Sequence, residues 1–264
     1  MYIYTSAKPR NISGNDKMNK SKQIQDFLLK HLENFRPDSS SGGQPNLPDF
    51  ELYAFDYLDF AEKRLNNIEK YKGDTDELIN CVAHLKRAVD CQLDTLFHSI
   101  KLYKTISDRN LKFETKLEFL KGIGVFSSRS LGRLNTLRNK MEHHYEVPKI
   151  SDIELYYDLV SAFISVLQGL IFILTHNKQA NYTIEISEKE TGYFLTEYDD
   201  EKLEVIIEWT LPKDKEKTVL KANISELDDF IYFFKVHLIL TQLEAFATWE
   251  HIYNKIKIST KKMN

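Results

Sequence analysis

At 264 residues, with 42% hydrophobic and 12% aromatic content, the chain can bury one large core or two small ones. Its net charge of −3 excludes a uniformly basic molecule that binds any polyanion. The charge is uneven, however. Residues 101–140 carry ten Lys and Arg against three Asp and Glu, so the remainder is acidic.

Residues 1–16 are polar, with Lys8-Pro9-Arg10 and Ser13-Gly14-Asn15, and predict a disordered tail without the apolar stretch of a signal peptide. A short helix over 18–35 would set Ile24, Phe27, Leu28, His31 and Leu32 on one face. Pro37, the run from Ser39 to Gly43, and Pro45 predict a linker over 36–47. Residues 1–46 are therefore expected to stand apart as tail, helix and linker.

A helical bundle is expected over 47–178. Its first helix, 48–71, repeats Ala54, Leu58, Ala61, Leu65 and Ile68 at helical spacing. Asp74 can cap a long second helix, 76–106, with Leu78, Val82, Leu85, Val89, Leu93, Leu96 and Ile100 on its stripe. A short third helix, 113–121, ends at Gly122-Ile123-Gly124. A fourth runs over 128–145 and is stopped by Pro148. The last, 152–176, carries Ile153, Tyr157, Val160, Ile164, Leu167, Ile171 and Leu174, a stripe that suits a bundle core or a dimer seam. The longest apolar run, Leu159 to Leu174, contains Ser161, Ser165, Gln168 and Gly169 and is short for a span, so no membrane contact is expected.

After Asn177 the period changes to two. Residues 182–186, 193–197, 203–210 and 218–222 predict an antiparallel meander, and Ser225 would cap a single helix over 226–257. Residues 179–264 thus read as a small α+β domain, and the chain as a whole is mainly α. Cys81 and Cys91 share one predicted helix. Ten residues separate them by roughly 15 Å, beyond disulfide reach. No Cys/His spacing suits a metal, so neither metal nor cofactor is expected, and free thiols fit a cytoplasmic protein.

The chemistry concentrates in 137–145, Leu-Arg-Asn-Lys-Met-Glu-His-His-Tyr. Leu131, Leu134, Leu137 and Met141 give this helix an apolar stripe. At roughly 100° per residue, Asn139 and His143 share a face, whereas Arg138 and His143 are about 140° apart. Arg138, four residues, His143, one residue and Tyr145 resemble the R-x4-6-H motif of the HEPN superfamily in its R-x4-H-x-Y form, with the polar residue after Arg supplied by Asn139. The stretch His84 to Asp90 resembles that superfamily's second helix, where an acidic residue faces the site; Asp90 holds that place.

The resemblance covers about 48–178 and implies an antiparallel helical bundle and a metal-independent endoribonuclease of toxin–antitoxin or anti-phage type, working as a homodimer. A cognate antitoxin of nucleotidyltransferase type would be a possible partner. In that reading Arg138 holds the phosphate, His143 exchanges protons as imidazoles do near neutrality, and Asn139 orients His143 or the phosphate. Tyr145, His144, Asp90, Arg133 and Lys140 would contact the RNA. Two other readings use the same residues. A catalytically silent module of this fold would bind RNA, a nucleotide or a partner. In a purely structural role, His143 and His144 would only complement the helix C-terminal dipole.

Overall fold

The computed structural model describes residues 19–71, 74–108, 113–127, 129–144, 146–147 and 149–258. They are mainly helical, with one five-stranded antiparallel sheet. The chain divides into two units. One comprises 45–120 and 126–173; the other comprises the chain to residue 44, 121–125 and everything from 174 onward.

The first unit is helical. Its helix α2 (Ala54–Tyr71) begins six residues later than the sequence pattern predicts. The preceding turn is closed by the Tyr53 amide, which donates to Asp56 at 2.7 Å, and by the Tyr53 hydroxyl, which donates to the Pro48 carbonyl at 2.6 Å. Asp74 caps α3 (Thr75–Ser99), accepting from the Asp76 amide at 2.9 Å. The two helices form an antiparallel hairpin, seen in three successive pairs. Arg64 bridges Glu77 at 2.9 Å, Cys81 donates to the Ala61 carbonyl at 3.4 Å, and Phe60 meets His84 at 5.4 Å. Leu58, Ala61 and Ile68 on one helix and Leu78, Val82 and Leu85 on the other are buried. Cys81 and Cys91 are both free thiols; burial pushes the Cys81 thiol up to about 12.

Helix α3 does not reach 106 as its stripe suggests. Ser99 Oγ caps the Leu96 carbonyl at 2.7 Å, and Lys101 adopts a left-handed backbone with φ 56°. The chain then restarts as α4 (Tyr103–Asp108) and α5 (Phe113–Gly122). Lys116 reaches back to Asp94 at 2.6 Å and Phe119 to Phe97 at 5.6 Å, which ties α5 to α3. Helix α6 (Arg129–His144) packs on α3 through Leu131 and Leu134, both buried. Helix α7 (Ile150–His176) buries Ile153, Val160, Phe163, Ile164 and Leu167. By length and composition α7 could also cross a membrane; 44% of its most apolar window is buried within the protein.

The second unit is built on the sheet. Helix α1 (Lys20–His31) is capped by Asn19 and followed by β1 (Phe35–Ser41). The stretch 36–47, expected as a linker, therefore carries an edge strand. Only Phe35 of β1 is buried, so its pairing rests on backbone hydrogen bonds, which leave no alternating pattern in the side chains. Pro37 is tolerated there because it sits at an edge, next to a register shift. Strands β2 (Gln179–Ser187), β3 (Glu190–Asp199), β4 (Glu204–Thr210) and β5 (Thr218–Asn223) continue the sheet in chain order.

The strands β1 and β2 are neighbours although 137 residues separate Ser41 from Gln179, a register pair. The helical unit is thus inserted between adjacent strands, and the described part of 1–46 belongs to the sheet. Gly42 occupies the junction. A Cβ there would lie 2.3 Å from the Thr175 carbonyl, and the Gly43 amide donates to that same oxygen at 2.7 Å.

One face of the sheet, with Tyr182, Ile184, Phe194, Val205, Ile207 and Trp209, is buried. On that face Phe27 of α1 stacks on Trp209 at 4.5 Å, and Phe234 of α8 (Leu227–Thr241) meets Tyr198 at 4.9 Å. The opposite face carries cross-strand ion pairs such as Lys221–Glu204 at 3.1 Å and Arg36–Glu185 at 2.9 Å. The single helix expected over 226–257 is two. Helix α8 ends at Thr241; a turn of 3-10 helix and an extended Phe246 follow; Thr248 then caps α9 (Trp249–Ile256), accepting from the His251 amide at 3.3 Å. Ser225 does not cap α8, because the Asn223 side chain holds its amide and hydroxyl, both at 3.0 Å.

Candidate functional site

Helix α6 presents the polar cluster of 137–145. It remains α-helical through His144, the last described residue before Tyr145. The last turn is closed by the Glu146 amide on the Lys140 carbonyl at 3.5 Å. Buried Leu131 and Leu134 pin one side of α6 to the bundle, so Arg133, Asn139, Lys140, His143 and His144 all stand exposed. Asn139 and His143 are four residues apart on a regular helix and share its face. Arg138 lies on the same helix; its side chain, and Tyr145 altogether, fall outside the described residues.

Regular helicity to His144 also removes one way of joining Arg138 to His143. A frayed helix end could have rotated one toward the other. With α6 intact, their Cα directions stay roughly 140° apart.

The surrounding charges are partly spent within the fold. Lys140 pairs with Glu146 at 3.4 Å, and Lys116 with Asp94 at 2.6 Å. The described members of the basic excess of 101–140 are therefore divided among the Lys101 turn, α4, α5 and α6, and Lys121 belongs to the sheet unit. Arg133 remains exposed and acts on the start of α7. Burial and then Asp152 raise the Tyr156 pKa, and Arg133 opposes them.

Asp90 stands on α3, half open to solvent. It pairs with Lys86, whose side chain is only 7% exposed and whose ammonium sits 4.1 Å from the centre of the Phe113 ring. Asp90 also lines a concavity of about 530 Å3 with Phe50, Leu52, Tyr57, Arg87 and Asp94, and no described residue of α6 takes part in that lining. The carboxylate expected to face the motif also pairs with a buried lysine on its own helix. On α3, burial is the main cause that lowers the pKa of both His84 and His98, so these imidazoles are held toward the neutral form.

Among the described residues no three His, Cys, Asp or Glu side chains gather as metal ligands. Compared with family models, curated proteins and solved structures, the chain gives no significant match. The chemical reading of α6 therefore rests on its own residues.

Sequence reasoning passed over a second concavity, of about 820 Å3, in the sheet unit. Its signal was present in Phe27, Lys30 and His31 at helical spacing. The other wall comes from a hairpin some 180 residues away, which no local pattern links to α1.

Proposed function

We propose that the helical unit is HEPN-like and that the chain is a metal-independent endoribonuclease acting through Arg138, Asn139 and His143. The observation that carries the reading is the exposed pair Asn139 and His143 on one face of a helix that stays regular to its last turn, directly after Arg138. An RNA 2′-hydroxyl attacks the adjacent phosphorus, forming a 2′,3′-cyclic phosphate as the bond to the 5′-oxygen breaks. His143 exchanges the protons involved, one taken from the 2′-hydroxyl and one given to the leaving oxygen. Arg138 holds the phosphate and offsets the charge that develops on it. Tyr145, His144, Arg133 and Lys140 contact the RNA around it.

The site is completed by a second copy of the chain. The offset of Arg138 from His143 leaves one helix poorly able to place both on one phosphate, and a symmetric pair brings the second set across the axis. Helix α7 supports the pairing. The stripe expected to form the seam, Ile153 to Leu167, is spent in the core. A second stripe, Leu155, Leu159, Ala162, Val166 and Gly169, repeats at the same 4-3 spacing on the other side. Leu155 is 64% and Val166 42% exposed, and a Cβ at Gly169 would meet nothing within 4 Å. The small residues Ala162 and Gly169, on either side of Val166, allow close helix approach across such a seam. With this use, α7 serves as a core and interface helix and contacts no membrane. A nucleotidyltransferase-type antitoxin would act by covering the α6 surface.

The test is cleavage of RNA by purified protein in excess chelator, with the product ends analysed. A 2′,3′-cyclic phosphate end is expected; activity lost with chelator overturns the chemistry. The engagement of Asp90 by Lys86 favours a second reading, in which the α6 surface binds RNA or a nucleotide without turnover. Tight RNA binding with no cleavage, dependent on Arg138 and His143, selects it.

A further inference from the structure

The sheet unit holds a groove that the α6 chemistry does not use. It lies between α1 and the hairpin joining β4 to β5, with a volume of about 820 Å3. Its floor is aromatic. Trp209 and Phe27 stack with centroids 4.5 Å apart and planes at 26°, and Phe27 stands 5.0 Å from His31. Phe194, fully buried, stacks with Phe27 at 5.9 Å and with Trp209 at 6.4 Å. The rings thus form a column that starts in the core and ends, half-buried, at Phe27 and His31. Burial and then Lys30 lower the His31 pKa, which favours the uncharged ring.

The rims are basic. Lys22 and Lys30 stand on α1, and Lys213 and Lys215 on the hairpin. Three carboxylates share the lining: Asp26, Asp214 and Glu216. Asp26 is held by Lys22 at 2.7 Å, and Asp214 accepts the Leu211 amide at 2.9 Å. Among the described residues no ion pair holds Lys30, Lys213 or Lys215, so cations are available on both sides of the aromatic floor. A ring column between lysines suits a ligand that alternates flat apolar faces with negative charge. The wall from Asn19 to Lys30 is roughly 16 Å long, enough for several bases at about 3.4 Å each.

We propose that this groove binds single-stranded nucleic acid, with a base stacked on Phe27 and His31 and phosphates at Lys30, Lys213 and Lys215. Stacking on aromatic side chains beside a cationic track is how single strands are held without sequence preference. The groove lies in the sheet unit and stands independently of any reaction on α6.

The chain has two tryptophans, so Trp249→Phe leaves Trp209 as the reporter. The full-length Trp249→Phe protein is titrated with oligo(dA), which has no 2′-hydroxyl and survives any α6 ribonuclease, and with oligo(rA), AMP and polyphosphate. The expected result is saturable quenching by both oligonucleotides that weakens as salt rises. Lys30→Glu with Lys213→Glu should weaken binding tenfold or more, and His31→Ala about fivefold or more. His31→Phe, which keeps a ring, should retain binding even if His31→Ala lowers the melting temperature. The signal is read at Trp209 inside the groove, so quenching without cleavage, or cleavage without quenching, keeps failure here and failure of the α6 reading separate. Absent quenching, indifference to the lysine reversals, AMP binding as tightly as the oligonucleotides, or equal competition by polyphosphate each overturns the proposal.

Discussion

Thr196 Oγ1 and His237 Nδ1 lie 3.1 Å apart in the sealed layer between the sheet and α8, and both side chains are wholly buried. Burial lowers the His237 pKa to about 4, with the Asn177 backbone pulling weakly the other way. The folded protein therefore resists a proton that the unfolded chain takes up near pH 6.5. Stability from this site is fully present above pH 6.5 and is lost as pH falls toward 4, by about 3 kcal/mol in total. His31, His84 and His98 are shifted in the same direction and add to the slope. His237→Gln should flatten only its own share of the acid loss. Chemical denaturation from pH 7.5 to 4 checks this; equal pH slopes for variant and parent would refute it.

If Arg138 and His143 act on a phosphate, Arg138→Ala and His143→Ala should each abolish cleavage or growth inhibition. His144→Ala should cost much less, because it points about 100° away from His143 on the same helix. His143 and His144 are exposed at the end of α6, so the melting temperatures of their variants should hold. Equal losses from the three variants at unchanged melting temperature would undo this division of roles.

The exposed stripe of α7 predicts a dimer. Val166→Glu or Leu155→Glu should give a monomeric mass by light scattering without lowering secondary structure, since both positions are open to solvent. Loss of cleavage in the same variants would tie the site to the pair. Mixing inactive Arg138→Ala and His143→Ala chains should restore activity in the heterodimer. A monomeric parent that is fully active at micromolar concentration contradicts the prediction.

Asp90 separates a structural carboxylate from one that serves the α6 site. Its loss in Asp90→Asn leaves the Lys86 ammonium buried against Phe113 with a weaker partner. The cost should be about 1–2 kcal/mol, below the 3–5 of a wholly buried pair, because Asp90 is half open to solvent. Adding Lys86→Met should recover most of it. Denaturation midpoints of the parent and these two variants decide this. An unchanged midpoint for Asp90→Asn with cleavage abolished would return Asp90 to the α6 site.

Local periodicity was enough to determine much of this protein. Helical spacing located α2, α3, α6 and α7, and alternation located β2 to β5, because each of these elements buries a face and must repeat apolar residues at its own period. The same spacing placed Asn139 and His143 on one face of a helix, where they stand exposed. Other features carry no such imprint. Strand β1 pairs through its backbone while its side chains stay polar, so a Ser-rich strand looked like a linker. The left-handed turn at Lys101 and the break between α8 and α9 interrupt patterns that remain apolar on both sides. The resemblance gave Asp90 a place facing the motif, and its pairing with Lys86, set by the burial of that lysine, was not legible in the sequence. The groove between α1 and the β4–β5 hairpin, and the pairing of Ser41 with Gln179 across the inserted helical unit, join residues far apart in the chain. Only tertiary packing decides such neighbours, because burial and hydrogen bonding act between groups that the chain order leaves unrelated.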